Sequence, residues 1–201
     1  MCMVSCPFGA ISDKSQIFQL TRALQEEGSE IIAEIAPAFV GQFGENINPR
    51  NIKAALIELG FKGVHEVALG ADIGAVAEAH HYVEKVVTGE LPFLLTSCCP
   101  SWAMLAKKFF PDLIDQISQE LTPMVATARS IKKEHPNAKV VFIGPCAAKK
   151  LEASRRSVRS DVDFVVTFEE LQAMFDAKEI DLSQYEAESS FHDATGAGRG
   201  Y

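Results

Sequence analysis

The chain has 201 residues, 47% of them apolar and 23% charged, an ordinary globular composition with enough apolar mass for a core in one domain or two small lobes. Its formal charge of -8 argues against a nucleic-acid-binding face. The longest apolar runs, such as Leu91 to Leu95 and Val140 to Ile143, fall far short of the roughly 20 residues a bilayer span requires.

Residues 1–13 form a compact segment bearing Cys and Pro, unlike the rest of the chain. The spacing of Ile17, Leu20 and Leu24 predicts a helix over Lys14 to Gly28, with Gly28 as its stop. Ile31 to Ile35 reads as a short strand closed by Ala36-Pro37. Asn48-Pro49 opens a helix through Leu59, ended by Gly60, with Ile52, Leu56 and Leu59 as its buried stripe. Val64 to Ala68 reads as a second strand, followed by a helix from Asp72 to Val87. Phe93 to Thr96 reads as a third strand leading into a helix from Pro100 to Phe110.

A short helix over Leu113 to Ile117 and a clearer one over Pro123 to Glu134 come next. Lys139 to Ile143 and Phe164 to Thr167 read as strands, the latter followed by a helix from Glu169 to Ala177. The tail from Asp181 is polar, and residues 194–200 are glycine-rich loop material. Continuous apolar strands alternating with helices predict an α/β fold with a mostly parallel sheet flanked by helices.

Five cysteines carry the chemistry: Cys2, Cys6, Cys98, Cys99 and Cys146. An odd count with one adjacent pair does not suit a disulfide framework, and thiols acting as ligands or reactants in a reducing compartment fit better. That reducing setting makes the expected location cytoplasmic; the lack of a visible signal peptide carries little weight, and periplasmic export is left open.

In Thr96-Ser97-Cys98-Cys99-Pro100-Ser101-Trp102, a buried strand delivers two cysteines to the mouth of a helix, near the carboxyl edge of a parallel sheet. A helix N-terminus favours a thiolate. Adjacent side chains diverge, so one iron-cluster ligand and one free thiol is the natural division. Taken alone, the pair suits two buried structural cysteines equally well.

The strand Val140 to Ile143 and the turn Gly144-Pro145-Cys146 repeat that geometry. Lys149 would lie one helical turn past Cys146, where its ammonium could meet anionic ligands. Lys150, Arg155, Arg156 and Arg159 read as a solvated basic face. The spacing Cys2-Met3-Val4-Ser5-Cys6-Pro7 matches the end of the bacterial ferredoxin run that binds 4Fe-4S clusters. Its first two cysteines would precede Met1, as in a chain that begins inside a cluster-binding module.

Together these segments resemble the iron-only (FeFe) hydrogenases. Residues 96–102 look like the first signature of that family, and Pro145-Cys146-Ala147-Ala148-Lys149-Lys150-Leu151-Glu152 looks like the second. The likeness divides the chain into the end of a ferredoxin-like 4Fe-4S segment (1–13) and the N-terminal part of the catalytic domain (14–201). It implies the family's cofactor, a 4Fe-4S cluster bridged to a di-iron subsite with carbonyl, cyanide and dithiolate ligands.

Cys99 and Cys146 are then cluster ligands, and Cys98 exchanges protons with the bridge amine. Lys149 hydrogen-bonds one cyanide, while Ala36 and Pro37 line the other; Ala38 stands where the family can carry serine. Cys2 and Cys6 would ligate the ferredoxin-type cluster. Glu78 and Ser118 match a proton route from Cys98, although a solvated helix carboxylate is an equal reading of Glu78.

His81 stands at the family's outer glutamate, yet His80-His81 reads first as a pair on a helix surface. Gly144 replaces a methionine near the di-iron site. The third signature, with two more cysteine ligands, is not found, so these residues alone are expected not to hold the active cluster. The implied activity of the full-length protein is reversible proton reduction to hydrogen, served by ferredoxin or a similar carrier and by maturation proteins. A Narf-like cluster-assembly protein and a hydrogen sensor are the alternatives.

Overall fold

The structure is a computed structural model that describes residues 6–8, 10, 14–191 and 194–200. Its centre is a four-stranded, all-parallel sheet with strand order β2-β1-β3-β4. The strands are β1 (Ile31–Ile35), β2 (Gly63–Glu66), β3 (Lys139–Gly144) and β4 (Phe164–Thr167). Every residue of β1 and all but the first of β3 are buried. That is the pattern of inner strands covered on both faces, and it explains their unbroken apolar runs.

The flanking helices are α1 (Ile17–Gln25), α2 (Pro49–Leu59), α3 (Ala68–Lys85), α4 (Pro100–Phe109), α5 (Pro123–Glu134), α6 (Ala148–Ala153), α7 (Phe168–Ala177) and the single turn α8 (Gly196–Arg199). Helix α2 starts where Asn48-Pro49 predicts. The Asn48 side chain accepts from the amides of Arg50 at 2.8 Å and Asn51 at 3.3 Å, and Gly60 ends the helix in the left-handed region at φ 118°.

Three expectations need correcting. Phe93 to Thr96 is not a strand of the sheet: only Leu95 bridges to Ile117, and Phe93 stays 40% exposed. Its apolar residues have no inner position to fill, because β1 and β3 already occupy the centre. Helix α3 begins at Ala68 rather than Asp72, and Gly70 lets it lie close to α5, where a Cβ would stand 2.3 Å from the carbonyl oxygen of Pro123. The segment assigned to loop at 196–199 winds into α8, packed against α3.

Candidate functional site

Two chain segments converge at the carboxyl end of the sheet. The turn after β3 carries Cys146, whose Sγ accepts from the amide of Ala148 at 3.4 Å. Cys99 caps α4, and its Sγ accepts from the amide of Trp102 at 3.4 Å. The Trp102 indole donates to the carbonyl of Thr96 at 3.2 Å, folding the loop before the cysteines against the helix it feeds. Lys149 fastens the two segments together: its Nζ donates to the carbonyl of Cys98 at 2.9 Å and to Oε2 of Glu152 at 2.7 Å. A third segment, Ala36-Pro37, leaves the end of β1 and is tied to β3 through the Ala36 amide and the carbonyl of Ile143, 2.8 Å apart.

These segments enclose a cavity of about 390 Å³ lined by Ala36, Pro37, Cys98, Cys99, Cys146 and Lys149, together with Phe142, Met124, Pro123 and Arg199. Its walls are largely apolar. The charged side chains on its lining, among the described residues, are both cations, Lys149 and Arg199, although the chain as a whole carries -8. Each cation is anchored from behind by a buried carboxylate. Glu152, 3% exposed, holds Lys149 and also accepts from Thr122 Oγ1 at 2.8 Å; Glu66, 4% exposed, holds Arg199 Nε at 3.0 Å. The arrangement suits an electron-rich, anionic group carrying sulfur-seeking metal.

Arg199 reaches the cavity because the α8 turn is pinned to α3. Asp72 accepts from the Thr195 amide at 2.7 Å, the Thr195 hydroxyl and the Gly198 amide at 2.9 Å. The hydroxyl and amide of Thr195 hold the Asp72 carboxyl below its usual range. A side chain at 198 has no room, since a Cβ there would lie 2.2 Å from the carbonyl oxygen of Ala68. At Gly144 the Phe142 ring takes the space of a side chain: a Cβ would sit 2.4 Å and 2.6 Å from two of its ring carbons.

The structure therefore brings Cys98, Cys99, Cys146, Lys149, Ala36 and Pro37 to one cavity. Cys98 is half-buried, and Cys99 and Cys146 are exposed. The sequence reading that a buried strand delivers the Cys98-Cys99 pair is wrong; a half-exposed loop does so, and only Cys146 leaves a strand of the sheet.

Glu78 and Ser118 stand off the cavity lining. Ser118 is 2% exposed, beside the loop that runs to Cys98, its amide donating to the carbonyl of Leu95 at 2.8 Å; Glu78 is half-buried on α3. His80 and His81 line an open groove on the outer side of α3 with Glu84 and Lys85, as helix-surface residues. Lys150 is not solvated: it pairs with Glu170 at 2.8 Å, with 9% of its side chain exposed, whereas Arg155, Arg156 and Arg159 are exposed. Cys6 is half-buried, and Cys2 lies outside the described residues.

A family profile described as "Iron only hydrogenase large subunit, C-terminal domain" matches residues 29–201. The chain belongs to this family. It is 30% identical over 215 residues to Iron hydrogenase 1 of Clostridium pasteurianum, covering 96% of this chain and 37% of that protein. A solved variant of [FeFe]-hydrogenase HydA1 from Chlamydomonas reinhardtii superposes with a TM-score of 0.77 at 26% identity, over 93% of this chain and 53% of that one. A cytosolic Fe-S cluster assembly factor, NAR1 of Kluyveromyces lactis, is 36% identical over 105 residues, covering 52% of this chain and 22% of the factor. The chain thus spans about half the length of the solved relative and about a third of the hydrogenase from C. pasteurianum. Among the described residues no helix is long and apolar enough to cross a membrane.

Proposed function

We propose that the full-length protein is an iron-only hydrogenase that reversibly reduces protons to hydrogen, with electrons from ferredoxin or a similar carrier. The observation that carries this reading is the meeting of Cys98, Cys99 and Cys146, with Lys149, on one cavity.

The cavity fits the family's iron-sulfur cofactor in kind. Its thiols, apolar walls and cationic lining suit an anionic sulfur-bridged cluster, and each of the Cys99 and Cys146 sulfurs already accepts one backbone N–H. In number the fit is partial. A 4Fe-4S cluster takes four thiolates. Cys99 and Cys146 supply half of them, and the described residues form no group of three or more His, Cys, Asp or Glu placed to hold a metal ion. The remaining ligands and the link to the di-iron subsite come from outside these 201 residues. The 201-residue chain on its own is therefore inactive in this reading.

When bound, the cofactor supplies the redox chemistry. The chain's residues hold it, shield it and handle protons. Cys99 and Cys146 ligate; Ala36 and Pro37 close the wall and exclude water. Lys149 presents an N–H to a cyanide ligand. Cys98, half-buried and not required as a ligand, passes protons through Glu78 and Ser118. Cys2 and Cys6 belong to the accessory ferredoxin-like cluster over residues 1–13, and maturation proteins install the di-iron part.

The likeness to the cluster assembly factor supports a second reading, a non-catalytic iron-sulfur protein, and a hydrogen sensor is a third. Cys98 discriminates the first two: a thiol beside the ligand Cys99 serves proton exchange and has no part in merely holding a cluster. The test is to mature the full-length protein with hydrogenase maturation proteins and read its infrared spectrum and its hydrogen evolution. Carbonyl and cyanide bands with activity that Cys98→Ser abolishes are the expected result. An ordinary 4Fe-4S signal without those bands would overturn it in favour of the assembly role.

A further inference from the structure

Strand β1 reads Ile31-Ile32-Ala33-Glu34-Ile35, so one carboxyl interrupts an apolar run in the middle of the sheet. Glu34 is fully buried, and neither of its oxygens has a hydrogen-bond partner among the described residues. An orphaned buried carboxyl is costly, and native proteins keep few of them.

The register sets Glu34 level with His65 on β2 and Phe142 on β3. Phe142 is part of the cavity wall, and side chains level with one another in a parallel sheet leave by the same face. Glu34 therefore lies behind that wall. The charged groups acting on it are Lys149 and Glu152, both on α6; His65 is the titratable neighbour on β2, and β3 offers only the Phe142 ring.

Lys149 is one ammonium acting on two carboxyls, Glu152 and Glu34. Glu152 is already satisfied, with Lys149 on one oxygen and the Thr122 hydroxyl on the other. Glu34 receives no donor among the described residues. If ionised, it would be a second buried anion served by the same cation, which costs more than keeping a proton. Burial, reinforced by the charge of Glu152 and opposed by Lys149, pushes its carboxyl well above the usual range.

Lys149 is committed at the same time to Glu152 and to the carbonyl of Cys98, and it lines the cavity. If it turned to an anion in the cavity, Glu152 would be left buried and short of a donor. A Glu34 carboxyl that keeps its proton has one to give.

We propose that Glu34 is a proton store behind the cavity wall, and that by sharing its proton with Glu152 it releases the ammonium of Lys149 to face an anion bound between the cysteines. The exchange creates no net charge inside the protein. Lys149 trades a carboxylate for the anion, and Glu152 trades the ammonium for the O–H of Glu34. Only the identity of the anion rests on the hydrogenase reading; the proton store is a property of the chain without iron.

The test uses the purified 201-residue chain prepared without iron. In the infrared difference between the native chain and Glu34→Gln at neutral pH, a protonated-carboxyl carbonyl band that shifts in D2O is expected, and its absence would overturn the proposal. Melting temperatures of Lys149→Met in native, Glu34→Gln and Glu34→Leu backgrounds supply the second readout. Glu34 and its amide replacement can both donate to Glu152, whereas leucine cannot. The loss caused by Lys149→Met should therefore be smallest in the first two backgrounds and largest in the third, with failure to fold only there counting as the same result. Equal losses in all three would show that no proton is shared. A chain that passes both tests while the matured full-length protein lacks carbonyl and cyanide bands would sink the hydrogenase reading and leave the proton store standing.

Discussion

Gly70 and Gly74 lie one turn apart on α3, and both are buried, yet the same substitution should move stability in opposite directions at the two sites. A Cβ at Gly74 finds nothing closer than the Leu121 carbonyl oxygen at 3.9 Å. Gly74→Ala there gains helix propensity without a clash, worth about 1 kcal/mol. At Gly70 the added carbon would stand 2.3 Å from the carbonyl oxygen of Pro123, 2.4 Å from Thr127 Oγ1 and 3.0 Å from the Thr127 amide.

Two of those three atoms are α5 backbone, so the helices must part by more than 1 Å to reach ordinary contact, on the order of the overpacking shifts that cost 1–3 kcal/mol. Taking the upper end against the same propensity gain leaves a net loss of about 2 kcal/mol. For a chain of this size, 1 kcal/mol moves the melting temperature by about 2–4 °C, so Gly70→Ala should melt roughly 4–8 °C lower and Gly74→Ala about 2–4 °C higher. Circular dichroism melts of the two variants decide it. Equal melting temperatures would mean that the close approach of α3 to α5, which also sets Pro123 and Met124 on the cavity wall, is not real.

The Phe142 ring and residue 144 share one space, so Gly144→Met should destabilise the native chain and be tolerated once Phe142→Val makes room; additive melting losses in a double-mutant cycle would refute this. The Glu34 carboxyl titrates higher folded than unfolded, so its contribution is fully present below its ordinary value of 4.5 and is lost as pH rises through the folded value. The melting temperature of Glu34→Gln relative to the native chain should therefore climb with pH above that point, and a flat difference would show Glu34 ionised in the fold. Asp72→Asn removes the charge that holds α8, so hydrogen exchange at residues 195–200 should quicken while the sheet stays protected; unchanged exchange would mean that Asp72 does not hold Arg199 at the cavity.

Periodicity and punctuation made most of the frame legible. Strands β1 and β4 and helices α2 and α5 fall at their expected bounds, because Asn48-Pro49, Gly60 and Pro123 act locally and the strands are apolar on both faces. Phe93 to Thr96 shows the limit of that logic, since an apolar run says nothing about whether the sheet has a vacant inner edge. In the site, the cysteines and Lys149 were legible because their chemistry sits in short contiguous motifs. Arg199 was not: it lies among glycines, and what brings it to the cavity is a contact with Asp72 and Glu66 more than a hundred positions earlier in the chain. Glu34 did leave a signal, a lone acid in an otherwise unbroken apolar strand, and its meaning depended on which face of β1 it occupies.

A single electrostatic scheme connects these residues. The protein is acidic overall, yet it presents thiols and two cations to the cavity and keeps the balancing carboxylates of Glu152 and Glu66 behind the wall. A carboxylate on the lining would repel an anionic cluster and compete with sulfur for metal. Set one layer back, it fixes the direction of a cation without facing the guest. The two carboxylates are nevertheless not equivalent. The guanidinium of Arg199 is planar and always charged, and both of its contacts to Glu66, at 3.0 Å and 3.3 Å, are made from fixed nitrogens. Lys149 carries a compact ammonium on a rotatable stem, shared between Glu152 and the carbonyl of Cys98. It is the cation built to change partners, and its charge acts on the orphaned carboxyl of Glu34.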